Sequence, residues 1–242
     1  MMPIARPLEL SMEIEAALGS LGRGEPILIF DSADREGETD LVLLSHLATP
    51  DLVRLLRRDA GGLLCTALSF ELKERIGLPF ASDLLEIGAV RYPVLAGVGR
   101  RAPRYDLRTA FGISVNHRTN YTGIPDNDRA ATIRALGVLA AQAPGLSDAE
   151  LAERFAREFS SPGHVPLLHS ARGLLRERKG HTELSISLAR MGSYPESTTV
   201  CEMLGDSGGA RSVEAARRYA RDHGWPFLDG ATIAEAYERW SA

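Results

Sequence analysis

Residues 26–30 read Pro-Ile-Leu-Ile-Phe, a short apolar run with turn-forming residues on both sides. Such a run is typical of a β-strand that is buried on both faces, as in a sheet covered by helices. Apolar residues at helical spacing precede it over 8–21, and Gly22 and Gly24 end that pattern. The sequence therefore predicts a helix over 8–21 that leads into a buried strand over 26–30.

Helices and buried strands continue to alternate along the chain. Thr49 and Pro50 have the N-cap and first-turn preferences of a helix, which we expect to end at Ala60. Ser147 and Glu150 have the spacing of a capping box. The other predicted elements are strands over 63–67, 111–115, 164–168 and 198–203, helices over 126–143, 147–159 and 181–191, an irregular segment with one short strand over 80–108, and a closing helix–strand–helix over 212–240. This pattern predicts an α/β (α+β) fold, a single three-layer domain over residues 1–242 in which helices flank a mixed β-sheet.

The composition excludes several classes of protein. The chain has 28 Lys and Arg against 32 Asp and Glu, so it lacks the positive charge that draws most nucleic-acid binders to phosphate. No apolar stretch reaches the roughly 18–20 residues that span a bilayer. Cys65 and Cys201 are too few for a disulfide framework, and free thiols are typical of the reducing cytoplasm. We therefore expect a cytoplasmic protein with neither nucleic-acid nor membrane partners.

An acidic stretch follows the first predicted strand. Residues 31–40, Asp-Ser-Ala-Asp-Arg-Glu-Gly-Glu-Thr-Asp, hold five carboxylates. Carboxylates this close raise one another's pKa unless a cation compensates, and oxygen ligands suit a hard ion such as magnesium or manganese. A solvated acidic turn is an equally good interpretation of the composition alone.

Two histidines and a glutamate lie at predicted element ends. His164 follows Pro162-Gly163, which predicts a turn before the next strand, and a histidine there is either a packed polar residue or a general base. His181 follows the basic segment 176–180 at a helix start, which favours either a phosphate site or a solvated basic turn. Glu202 either ends its strand or reaches a site there.

Six segments together resemble those of 3,4-dihydroxy-2-butanone 4-phosphate synthases of the archaeal, monofunctional type. The resemblance covers nearly the whole chain, with the segments in the family's order and at similar separations. They are Asp34-Arg-Glu-Gly-Glu-Thr-Asp40, Gly61-Gly-Leu-Leu-Cys65, Thr122-Gly-Ile with Asp128-Arg-Ala, Pro162-Gly-His-Val165, Arg178-Lys-Gly-His-Thr-Glu183 and Cys201-Glu202.

The resemblance implies an activity and a set of site residues. The reaction is the conversion of D-ribulose 5-phosphate to L-3,4-dihydroxy-2-butanone 4-phosphate and formate in riboflavin biosynthesis. It implies two divalent cations, Mg²⁺ or Mn²⁺, and a homodimer with its active sites at the interface. By motif position, Glu36 and His181 are the expected metal ligands, and His164 and Glu202 the expected proton-transfer residues. The expected substrate contacts are Arg35, Asp40, Arg178, Lys179, Gly180, Thr182 and Glu202.

Two other functions fit parts of the pattern. A metal-dependent sugar-phosphate epimerase or aldolase would share the acidic loop and the phosphate turn, but would release no formate. A binding protein that has lost turnover would have little need for all four of Glu36, His164, His181 and Glu202.

Overall fold

The computed structural model describes residues 10–98 and 104–242. Its strands are β1 (Ile27–Phe30), β2 (Thr39–Leu44), β3 (Cys65–Leu68), β4 (Phe111–His117), β5 (Phe159–His169), β6 (Ser197–Glu202) and β7 (Phe227–Asp229). In the described ranges these strands form one seven-stranded sheet in the order β4-β5-β3-β6-β2-β1-β7. The pairs β1–β7 and β3–β5 are parallel and the other four pairs are antiparallel, so the sheet is mixed, as predicted.

Ten α-helices lie within the same described residues. They are α1 (Met12–Gly22), α2 (Pro50–Leu55), α3 (Phe70–Ile76), α4 (Ala81–Gly88), α5 (Val94–Val98), α6 (Asp126–Gln142), α7 (Asp148–Glu158), α8 (His181–Met191), α9 (Val213–His223) and α10 (Gly230–Trp240). The predicted caps are confirmed, because Thr49 accepts a hydrogen bond from Leu52 N and Ser147 forms a capping box with Glu150. No helix in the described part is long and apolar enough to cross a membrane.

Helices cover both faces of the sheet. Along β1, Ile27 and Ile29 pack into a core with residues of α1, α8 and α10, whereas Leu28 packs into a second core with residues of α2, α6 and α7. The side chains of β2 alternate in the same way. Burial of both faces explains why the central strands are continuously apolar, and it confirms the three-layer arrangement of helices around a mixed sheet.

The acidic loop is shorter than predicted. Thr39 and Asp40 belong to β2, where Asp40 pairs with Glu202 of β6, so the prediction of a loop through Asp40 is wrong at its last two positions. The apolar run 41–44, which was not among the predicted elements, is the rest of that buried strand. Thr39 and Asp40 also pair with Phe30 and Ile29 of the neighbouring β1, but two polar residues lack the apolar pattern that marks a buried strand.

Three other predictions need correction. Residues 80–108 hold the short helices α4 and α5 rather than a strand in their described part, and 99–103 lie outside the described residues. Pro162 and Gly163 do not form a turn but lie within β5, where a Cβ on residue 163 would overlap the backbone of Val115. The first predicted helix begins at Met12, with Ser11 as its N-cap, and positions 8 and 9 lie outside the described part.

Candidate active site

The site forms where four elements meet: the loop after β1, the start of β2, the end of β6 and the first turn of α8. Asp40 and Glu202 are directly paired across β2 and β6. His181 is the first residue of α8, and its ring is held between the loop and the sheet. Its Nδ1 atom lies 3.4 Å from Glu36 Oε2, and its Nε2 atom lies 3.2 Å from Ile29 O and 3.6 Å from Asp40 Oδ1.

The carboxylates and the imidazole perturb one another strongly. Burial would raise the pKa of Glu36, but its hydrogen bond with His181 and the charge of Arg35 outweigh that effect and lower it to about 2. Burial raises the pKa of Asp40 to about 8, and the nearby Glu202 carboxylate acts in the same direction. Burial would lower the pKa of His181, but the charge of Asp40 and the hydrogen bond with Glu36 raise it to about 9. A cation bound here would favour the ionised carboxylates and the neutral imidazole.

The donor set fits a divalent metal ion. One ligand atom each from Asp31, Glu36 and His181 lies within 4.8 Å of the others. Asp40 Oδ1 is buried and has no hydrogen-bond partner among the described residues. Carboxylate oxygens with one imidazole nitrogen are ligands that magnesium and manganese accept. An unpartnered buried oxygen beside this cluster is the feature that a cation or a substrate hydroxyl would satisfy.

Two guanidinium groups border this cluster and share one carboxylate. Asp106 Oδ2 accepts hydrogen bonds from Arg35 Nη2 at 2.6 Å and from Arg178 Nε at 2.8 Å. Arg178 Nη1 also donates to the fully buried Glu183 at 2.6 Å. Gly180 leaves room for both side chains, because a Cβ there would lie 2.5 Å from Arg178 Nη1 and 2.7 Å from Arg35 Nη2. The pair is thus fixed beside the start of α8, a favourable place for an anion.

Glu202 is fixed by the glycine pair that precedes β3. Its Oε2 atom accepts a hydrogen bond from Leu63 N at 2.7 Å, and its backbone oxygen accepts one from Gly62 N at 3.0 Å. A Cβ on residue 62 would overlap the Glu202 carboxylate, and Gly61 has a φ of +88°, which favours glycine. The paired glycines therefore allow the close approach that orients this carboxylate.

A cavity of about 100 Å³ joins these groups. Seven of the sequence-predicted site residues lie at this cavity. Arg35 is joined to Glu36 and Asp106 of its wall by ion pairs, and six line it directly: Glu36, Asp40, Arg178, His181, Thr182 and Glu202. Lys179 is exposed and does not line the cavity.

His164 is not brought to the cavity within one chain. Its side chain is exposed on β5, whereas the residue of the same strand that lines the cavity is Leu168, four positions further along. At about 3.3 Å per residue these positions are roughly 13 Å apart. A single chain therefore assembles the predicted metal and phosphate residues without the predicted histidine.

The family model of 3,4-dihydroxy-2-butanone 4-phosphate synthase matches residues 15–236. The chain belongs to the 3,4-dihydroxy-2-butanone 4-phosphate synthase family. The synthase of Methanosarcina acetivorans is 45% identical over 231 residues, covering 94% of this chain and 92% of that protein. The synthase of Methanothermobacter thermautotrophicus is 42% identical over 231 residues, covering 95% and 98%. Family membership makes the chain an enzyme of riboflavin biosynthesis and confirms the resemblance to archaeal synthases.

Solved synthase structures share the fold. The Candida albicans synthase is 27% identical, with a TM-score of 0.69 over 94% of this chain and 98% of that one. A synthase in complex with two magnesium ions is 23% identical, with a TM-score of 0.72 over 93% and 96%. At that identity the second likeness concerns the fold alone.

Sequence reasoning missed three residues of this synthase's candidate site. Asp31 belongs to the acidic stretch, but the sequence does not distinguish it from the other carboxylates there. In the structure it is buried and accepts hydrogen bonds from Arg35 Nη1 and from the backbone N–H groups of Glu36 and Glu38. Asp106 lies in a segment without periodicity. Glu183 is polar and fully buried in the first turn of α8, a place where an acidic residue is ordinarily a solvated helix cap.

Proposed function

We propose that the chain converts D-ribulose 5-phosphate to L-3,4-dihydroxy-2-butanone 4-phosphate and formate. The observation that carries the proposal is the convergence of Glu36, Asp40 and His181 beside the arginine pair. A ketose phosphate needs one group of residues to bind its carbonyl and hydroxyl oxygens and another to bind its phosphate. The two products together contain all the atoms of the substrate, so the reaction needs proton transfers and rearrangement of the carbon skeleton but no oxidant.

Glu36 and His181 are the proposed metal ligands, with Asp31 beside them, for two Mg²⁺ or Mn²⁺ ions. When bound, divalent cations supply positive charge that stabilises the enediolate formed by loss of a proton next to the ketone. The low pKa of Glu36 keeps its carboxylate ionised and available as a ligand at neutral pH. His181 must be neutral to ligate, so we expect metal binding to displace its proton.

The substrate-binding residues separate into two groups. Arg178 and Thr182, with the start of α8, are the proposed phosphate contacts, and Lys179 adds positive charge nearby. Arg35 and Asp40 are the proposed contacts to sugar oxygens, and Gly180 leaves space for both guanidinium groups. Because Asp106 fixes both arginines, little side-chain ordering remains to oppose binding.

Glu202 and His164 are the proposed proton-transfer residues, from different subunits. Glu202 lines the cavity of its own chain, whereas His164 is exposed and distant from it. We infer a homodimer in which His164 completes the partner's site. Support comes from large apolar side chains exposed on this chain, among them Leu107 at 99% and Tyr121 at 98%. Aromatic side chains such as Tyr121 are enriched at protein interfaces.

Product analysis tests the proposed reaction. The purified protein is incubated with ribulose 5-phosphate and Mg²⁺, and formate and the four-carbon phosphate are measured by NMR. Equal molar amounts of the two products are expected. Xylulose 5-phosphate, or cleavage into two fragments without formate, would instead identify an epimerase or aldolase. Thermal stabilisation by the substrate with no turnover under Mg²⁺ or Mn²⁺ would identify a binding protein.

Two further inferences concern the protein as a whole. We infer a single domain, because one sheet with helices on both faces takes in strands from the whole described length. We also infer a cytoplasmic location, because Cys65 and Cys201 are free, buried thiols. Burial raises the pKa of both thiols, that of Cys201 to about 12, so both are protonated at neutral pH.

A further inference from the structure

Among residues 10–98 and 104–242, one side chain lies within hydrogen-bonding distance of the exposed imidazole of His164. It is Asn116 of β4, the strand that pairs with β5 at the edge of the sheet. Asn116 Oδ1 lies 3.2 Å from His164 Nδ1, and Asn116 Nδ2 lies 3.1 Å from the same nitrogen. Both contacts involve Nδ1, which donates to Oδ1 when it carries the ring hydrogen and accepts from Nδ2 when it does not.

Backbone groups fix which way the carboxamide faces. The backbone N–H of His164 donates to Asn116 Oδ1 at 2.8 Å, so the oxygen lies towards His164. Asn116 Nδ2 donates to Thr122 O at 3.3 Å, so the nitrogen lies towards the loop before α6. The reversed orientation would place the nitrogen against an N–H group and the oxygen against a carbonyl, and both bonds would be lost.

The loop that holds the carboxamide is itself fixed. Asp128, in the first turn of α6, accepts hydrogen bonds from Gly123 N at 2.8 Å and from Thr122 N at 3.3 Å. Gly123 has a φ of +105°, and a Cβ on it would overlap the Asn116 carboxamide. A continuous set of bonds thus runs from Asp128 through Thr122 to Asn116 and His164. The motif Thr122-Gly-Ile with Asp128 therefore holds Asn116 in place beside His164 as well as starting a helix.

We propose that Asn116 is a positioning residue that keeps the hydrogen of neutral His164 on Nδ1. The inference rests on the proposed function, in which His164 takes up a proton. Neutral imidazole accepts a proton at Nε2 only when Nδ1 carries the ring hydrogen. Asn116 Oδ1 is the acceptor for that hydrogen, and the same bond persists in the imidazolium form. The ring then keeps one orientation through both protonation states while Nε2 remains available.

Three variants separate this role from a structural one. Asn116→Leu has nearly the same shape but no acceptor. We expect its kcat for formate production to fall by about 10- to 100-fold, the usual effect of removing a histidine's hydrogen-bond partner, while KM changes less than about 2-fold. Asn116→Asp supplies an acceptor oxygen at the same position and should retain kcat within about 10-fold of the wild type. Thr119→Ala is the matched control, because Thr119 lies in the same loop as Thr122 but its hydroxyl bonds to His117, the last residue of β4, and not to Asn116.

Nitrogen-15 NMR of histidine-labelled full-length protein reads the tautomer directly and needs no turnover. His164→Gln identifies the His164 signals. The wild type, Asn116→Asp and Thr119→Ala should have the hydrogen of neutral His164 on Nδ1, and Asn116→Leu should show a mixture of tautomers, with thermal unfolding confirming that each variant is folded. A wild-type ring with its hydrogen on Nε2, or wild-type kcat in Asn116→Leu when His164→Gln is inactive, overturns the inference and leaves the proposed function intact. A wild type that makes no formate overturns the proposed function instead.

Discussion

His181 Nδ1 lies 3.4 Å from Glu36 Oε2, although one residue begins α8 and the other belongs to the loop after β1. The two residues meet because the N-terminus of α8 packs against the sheet next to β1. His181 Nε2 also lies within hydrogen-bonding distance of the carbonyl oxygen of Ile29 in β1. An imidazole and a carboxylate at this distance are close enough to bind a common ion once the histidine loses its proton.

Glu36→Gln should weaken metal binding. A neutral amide oxygen is a poorer ligand for a hard divalent cation than a carboxylate, so we expect the Mg²⁺ concentration for half-maximal formate production to rise at least about 10-fold. The rise in melting temperature that Mg²⁺ produces should shrink in parallel. Asp34→Asn is the matched control, because Asp34 is an exposed carboxylate of the same loop. Equal Mg²⁺ titrations for both variants would remove Glu36 from the ligand set.

Gly62→Ala should displace Glu202. The added Cβ would overlap the Glu202 carboxylate and approach its backbone oxygen. We expect the free energy of unfolding to fall by about 1–3 kcal/mol, as for other overpacked sites. Formate production should fall at least about 10-fold, because small displacements of a reacting group have large kinetic effects. Gly145→Ala is the control, since no atom lies within 4 Å of the Cβ position there. Wild-type turnover in Gly62→Ala would show that the glycine does not position Glu202.

His169 should make the protein less stable in mild acid. Burial, with the nearby charge of Lys73, lowers the pKa of His169 from 6.5 to about 4. Between these values the unfolded chain binds a proton that the folded chain excludes, so stability falls as the pH falls. The contribution is intact above pH 6.5 and is lost towards pH 4, by about 3 kcal/mol in total.

His169→Leu separates this effect from the titration of other groups. Urea unfolding is measured at pH 7 and at pH 4.5 for the wild type and the variant. We expect the wild type to lose about 2–3 kcal/mol more than the variant between these pH values. The same loss in both proteins would show that His169 does not titrate in this way.

Local patterns were sufficient where the determining contacts are close in sequence. The helix start at His181 and its end at Met191 were predicted because Gly180 and the apolar spacing beyond it are local features. The capping box at Ser147 and Glu150 is likewise local. Asp40 is different, because it pairs with Ile29 of β1 and Glu202 of β6 inside the sheet, whereas a carboxylate next to an acidic stretch has the local pattern of a loop.

The candidate site was predictable in its residue types but not in its geometry. Charge density marked Glu36, Arg178 and their neighbours, and the resemblance to a family supplied their roles. No local pattern indicated Asp106, because it acts by accepting hydrogen bonds from both Arg35 and Arg178, which lie in two other segments of the chain. The position of His164 could not be inferred from its motif either, since Pro162-Gly163 suggested a turn whereas the chain continues as an extended strand.

Mixing two variants that are each nearly inactive at a limiting Mg²⁺ concentration should restore activity if His164 serves the partner's site. His164→Ala retains intact metal ligands, and Glu36→Gln retains an intact His164. A heterodimer of the two has one site with neither defect and one site with both. If subunits of equal amounts exchange at random, half of the dimers are heterodimers with one working site, so about one quarter of wild-type activity is expected.

Two other pairs of variants, mixed in the same way, provide the controls. His164→Ala mixed with Glu202→Gln should also recover about one quarter, because Glu202 lines the cavity of its own chain. Glu36→Gln mixed with Glu202→Gln should recover nothing, because both defects affect groups of one chain's cavity and every site in the heterodimer carries one of them. Subunit exchange is checked by mass spectrometry of the intact dimers. If the two pairs that contain His164→Ala recover no activity once heterodimers are seen, His164 and the metal ligands belong to the site of a single chain. Recovery in the last pair would instead place Glu36 and Glu202 in the sites of different subunits.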